Sequence, residues 1–175
     1  MSPHFNFKVM YKIKQFFKRI YNLYRWFPII WKDQDWDDHY IFEILKFKLK
    51  NQAKYISYHN RHISAKRDAE IMMLCVRLIE KVQDEYYGKE YLEYCESEMK
   101  FTPSETYPGH YEMEFEELSE HYNDYFKKYP LIYRMVPDLN APKDEIAFHI
   151  AKINEKRAHK LLFTILEQNI RKWWD

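Results

Sequence analysis

Apolar side chains recur at steps of three and four along most of this chain, the spacing of one face of an α-helix. Val9, Ile13, Phe16, Ile20, Leu23 and Phe27 trace such a face and predict a helix over about 5–27, which Pro28 ends or kinks. Residues 31–38 read as a loop running into a cap, with Asp35 as N-cap and Asp37 and Asp38 at the positive end of the helix dipole. A second helix is expected over about 36–58, on Tyr40, Ile41, Ile44, Leu45, Phe47 and Leu49. The polar turn 58–62 breaks it. Ser64 is placed to cap a third helix over about 65–87, with its seam at Met72, Cys75, Val76, Ile79, Val82 and Tyr86, and Gly88 offers a left-handed stop.

Further along, a short helix fits 89–100, and the clusters Thr102-Pro103-Ser104 and Tyr107-Pro108-Gly109 mark a loop. Residues 111–128 read as an acidic helix with Tyr111, Phe115, Leu118, Tyr122 and Tyr125 inside. Pro130 and Pro137 bracket a short element, and Pro142 suits a first helical turn, with Asp144 and Glu145 following it. The last helix should run to Trp173 or Trp174 with Ile146, Ile150, Ile153, Leu161, Leu162, Ile165, Leu166 and Ile170 inward, and the two indoles should dock against the bundle or form an interface rather than fray. No strand pattern of convincing length and no repeat is visible. The expected fold is all-α, a single-domain bundle of five to six helices. Its parts are a basic aromatic helix (1–30), central helices (31–100), an acidic helix with loops (101–142) and a long C-terminal helix (143–175).

Composition narrows the function classes. Glycine occurs only twice in 175 residues, so the Gly-rich phosphate loops, the nucleophile elbow and the kinase loop have no place here. Two cysteines give no disulfide framework or zinc site, and Cys75, in an apolar run, is expected to be a buried free thiol in a reducing, cytoplasmic setting. No stretch is apolar enough to span a membrane, and residues at the start lack the apolar core of a signal peptide. Net charge is +1, but it is unevenly laid out. Residues 1–32 carry seven cations and no acid, whereas 84–124 carry thirteen acids with only Lys89 and Lys100.

Candidate chemistry concentrates in two places. Trp31, Trp36 and His39 lie in a run of aromatics and aspartates, with Glu43 one helical turn beyond His39, a workable pair of metal ligands against a plain helix cap. His59, Arg61 and His62, followed by Lys66 and Arg67, put cationic donors in a turn that suits a phosphate. A helix of about 20 residues, roughly 30 Å, separates the two groups, so joining them around one ligand calls for a second copy of the chain. Glu145 and His149 are also one turn apart, but the chain has no Glu-x-x-His pair of the di-iron kind. Glu93-x-x-Glu96 and Glu117-x-x-Glu120, with Asp124 beyond, resemble the acidic pairs by which all-α nucleoside-triphosphate pyrophosphatases hold magnesium; solvated acidic faces are the plainer reading. The basic first helix fits either a membrane surface or a polyanion, or else packing into the bundle with its cations left for a partner; packing is the expectation, because its aromatics are costly to leave in water.

The segment Trp31-Lys32-Asp33-Gln34-Asp35-Trp36-Asp37, together with the Trp173-Trp174-Asp175 ending, resembles small proteins of tailed bacteriophages. That resemblance implies a phage-encoded accessory protein of the host cytoplasm and assigns no activity and no site residue. The resulting expectation is a binding protein rather than an enzyme, an anti-defence factor that engages a host protein or sequesters a small nucleotide signal. A metal-dependent nucleotide hydrolase and a structural or assembly protein stand behind it. The expected ligand site is Trp31, Trp36, His39, His59, Arg61, His62 and Arg67. No cofactor is expected, a homo-oligomer is, and nucleic acid ranks below the other partners.

Overall fold

The computed structural model describes residues 3–33, 36, 37, 39–60 and 62–174. Over these the chain is 70% helical, as the three-and-four spacing requires. Helix α1 spans Pro3–Ile30, α2 His39–His59, α3 Ala65–Gln83 and α4 Tyr86–Lys89. A 3-10 turn (Glu90–Tyr94) leads into strands β1 (Cys95–Pro103) and β2 (Tyr111–Glu120). Helices α5 (Tyr122–Lys128), α6 (Pro130–Tyr133) and α7 (Lys143–Asn169) follow, and a 3-10 turn covers Lys172–Trp174. The chain forms two compact units, 1–48 and 49–175, with the division inside α2.

The fold is therefore mostly helical but not all-α. β1 and β2 pair antiparallel from Cys95 opposite Glu120 to Pro103 opposite Tyr111, with a bulge between Glu96 and Ser97. This replaces residues 95–100 of the helix expected over 89–100, whose first part is the end of α4 and the 3-10 turn, and the first ten residues of the expected acidic helix. The physical reason is alternation: in Tyr111-Glu112-Met113-Glu114-Phe115-Glu116 every second residue is apolar, which separates two faces of a strand but smears around a helix. Gly109, at φ +84°, closes the turn in a conformation few other residues adopt.

In the second unit, Met72, Cys75, Val76 and Ile79 of α3 are buried, as are Ile150, Ala151, Ala158 and Leu162 of α7, the two helices that pack on one another there. Tyr122, Tyr125, Ile132, Val136, Ile146, Ala147 and Ile150 close a second cluster where α5 and α6 cover the start of α7. Leu161, expected inside, faces outward at 50% exposure, because the buried stripe of α7 advances in steps of four through Ile146, Ile150, Asn154, Ala158, Leu162 and Leu166; Ile170, the next step, lies past the end of the helix and is also exposed. Trp173 is buried, so the chain end is docked there.

Several helix ends differ from the sequence reading. α1 runs two residues past Pro28. Asp37 Oδ1 accepts the His39 amide (2.9 Å), so Asp37 caps α2, while Asp35 and Asp38 lie outside the described residues. Asn60, left-handed at φ +43°, ends α2. Ser64 stands at the N-cap of α3, but its hydroxyl donates to Asp68 Oδ2 instead of capping the backbone. α3 stops at Gln83 because Glu85, not Gly88, takes the left-handed conformation (φ +51°); Gly88 lies inside α4, beside the Glu155 carboxylate. The buried face of α2 is Leu49, Gln52, Ala53 and Ile56, later than expected, and Ile41 and Ile44 are exposed.

Candidate anion-binding groove

The short turn after α2 returns the chain so that Lys50 on α2 reaches Glu80 on α3 at 2.7 Å. Between the two helices runs an open groove of about 450 Å³. Its walls follow from helix spacing. Lys50, Lys54 and Ser57 stand four and three residues apart on α2, and Lys66, Glu70, Met73 and Arg77 stand four, three and four apart on α3, so each set occupies one face. Ala53 and Ala69, both buried, form the floor, and their small side chains leave room between the helices.

Electrostatically the groove is positive. Lys54, Lys66 and Arg77 are exposed, and no ion pair to any of them occurs among the described residues. Lys50 shares its charge with Glu80, and Glu70 is the only acid in the lining. Lys66 lies in the first turn of α3, where the helix dipole adds to the field. Four cationic donors around an alanine floor, with Met73 on one wall, suit an anion with an apolar part: phosphate or carboxylate on the lysines and the guanidinium, a flat or aliphatic portion against the alanines and the methionine. A second cleft, of about 390 Å³, opens among α3, α4 and α7 with Arg157 and Lys160 beside Tyr87 and Leu161, and has half the number of cations.

The residues singled out in the sequence are distributed as follows. Trp31 and Trp36 are exposed, with the Trp31 ring 5.2 Å from that of Phe27. His39 opens α2 and lies 3.7 Å from Glu43, which also takes Lys46. These belong to the first unit. His59 closes α2, its ring 4.3 Å from Tyr55 and 5.0 Å from Tyr58. His62 Nε2 meets Asp68 Oδ2 at 3.0 Å, a contact that holds the turn to the first turn of α3. Arg67 is exposed and directly follows Lys66, and Arg61 lies outside the described residues. Lys50, Lys54 and Arg77 escaped the sequence reading although their spacing carried the signal. Among the described residues no group of three or more His, Cys, Asp or Glu side chains converges on a common metal position. The acidic pairs read as helical are split up: Glu93 is in the 3-10 turn before β1 and Glu96 on β1, Glu117 and Glu120 are both on β2, and Asp124 alone is on an α-helix, α5; Lys143 takes the Glu120 carboxylate and Lys127 that of Asp124.

The other polar cluster is internal. Glu90 is 2% exposed and its carboxylate accepts Tyr129 Oη (2.5 Å), Tyr86 Oη (3.2 Å) and Lys128 Nζ. Burial works to raise its pKa, but these donors, Lys128 first, outweigh it and hold Glu90 below the usual carboxylate range. Burial and the Glu90 charge push the Tyr129 and Tyr125 phenols far above their ordinary values. The cluster ties the 3-10 turn before β1 to α4 and α5 and opens onto no cleft described above.

Comparison with protein-family models, with curated proteins and with solved structures finds no match to this chain.

Proposed function

We propose that this chain is a binding protein that captures a small anionic, nucleotide-like ligand in the groove between α2 and α3, and that it serves as a phage-encoded accessory factor against a host signal of that kind. The observation that carries the reading is the convergence of Lys50, Lys54, Lys66 and Arg77 on one groove of small-molecule size. The phage setting rests on the Trp31–Asp37 and Trp173–Asp175 segments alone. The groove is built by one chain, so this reading does not need the second copy that joining both ends of α2 would require.

The test is calorimetry of the full chain against nucleoside mono-, di- and triphosphates and cyclic dinucleotides. Lys54→Glu and Arg77→Glu should each weaken binding about tenfold or more, since a charge-assisted hydrogen bond contributes about 1.5–3 kcal/mol. Both side chains are exposed, so neither change should disturb the fold. Absence of binding below the millimolar range, or binding indifferent to both variants, contradicts the proposal.

A further inference from the structure

Helix α1 lies outside the proposed groove and has a separate chemistry. Placed around the helix axis at about 100° per residue, Met10, Phe16, Phe17, Ile20, Leu23 and Phe27 fall in one arc of roughly 140°. No charged or amide side chain of residues 9–30 enters that arc. Lys12, Lys14, Lys18 and Arg19 occupy the remaining circumference, with Lys12 and Lys14 at its two borders. The apolar arc is open: Phe16 is 59% exposed, Phe17 65% and Leu23 69%.

We infer that α1 is an interfacial helix that lies along an anionic lipid surface, with its aromatic face among the acyl chains and its cations at the headgroups. Three observations favour this occupant. The helix has 28 residues and no Asp or Glu anywhere along it, so an anionic surface meets no opposing charge. A second copy laid face to face would bring two all-cationic helices together without one acid to offset them. A nucleic acid would take the basic side and leave the phenylalanines in water. Spanning is a different matter: no helix among the described residues is long and apolar enough to cross a membrane.

The experiment is co-sedimentation of the full chain with vesicles of phosphatidylcholine, with and without a minority of phosphatidylglycerol. Binding should be about tenfold or more tighter to the anionic vesicles and should weaken with added salt. Lys12→Glu with Lys18→Glu should bring it down to the neutral-vesicle level, and Phe16→Ser with Phe17→Ser should abolish it. Neither pair should shift the thermal melt, because all four side chains are exposed. Equal binding to both vesicle types, or binding that survives both variants, overturns the inference. Failure to bind vesicles together with self-association that Phe16→Ser with Phe17→Ser dissolves, read by light scattering, also overturns it and assigns the face to a second copy.

Discussion

Glu90 keeps its charge where a carboxylate has almost no water, and only its three donors make that tolerable. Because its pKa is held below the unfolded value near 4.5, the stability it contributes is present above that pH and is lost as pH falls through the folded value. Glu90→Gln, which leaves Lys128 without its counter-charge, should cost about 1–3 kcal/mol at neutral pH and flatten the acid limb of a stability–pH profile; chemical denaturation across pH measures both. Cys75 is fully buried and unpaired, and burial pushes its thiol up to about 11. A thiol reagent at neutral pH should modify Cys95, which is partly exposed, well before Cys75. The state of Cys75 was legible because its neighbours in sequence are apolar. Glu90 was not: Lys128 and Tyr129 are 38 and 39 positions away, and nothing local marks a carboxylate as buried.

At the scale of elements, the long helices follow from periodicity and the hairpin does not. The glutamates of 111–116 favour helix by propensity, and Tyr111, Phe115, Leu118, Tyr122 and Tyr125 also satisfy helical spacing. Met113, between two glutamates, breaks that reading: on a strand it joins Tyr111 and Phe115 on one face, opposite Phe101 on β1. Helix and strand patterns overlap over six residues, and pairing with 95–103 decides between them. The left-handed turn at Gly109 is part of that pairing, so Gly109→Ala should weaken the hairpin by about 1 kcal/mol, seen as faster amide exchange along β1 and β2 with the helices unaffected. At the other end of the unit, docking of Trp173 accounts for the order of the last turn. Trp173→Ala should cost about 3–5 kcal/mol, measured as a lowered melting temperature.

For the whole molecule, the sequence located cationic chemistry at the α2–α3 turn but not in the groove beside it. Lys66 lines that groove, whereas Arg67 and the histidines of the turn do not. Two half-stripes, Lys50-Lys54-Ser57 and Lys66-Glu70-Met73-Arg77, become one site only when the turn folds the helices back on each other, and that return depends on Asn60 and the His62–Asp68 contact rather than on the cations themselves. The most direct test of the groove as a ligand site is amide shift mapping by NMR during titration with a phosphate-bearing nucleotide. The account predicts saturable shifts concentrated at residues 50–57 and 66–77, and lost in Lys54→Glu with Arg77→Glu. Shifts centred elsewhere, or none at millimolar ligand, would contradict it.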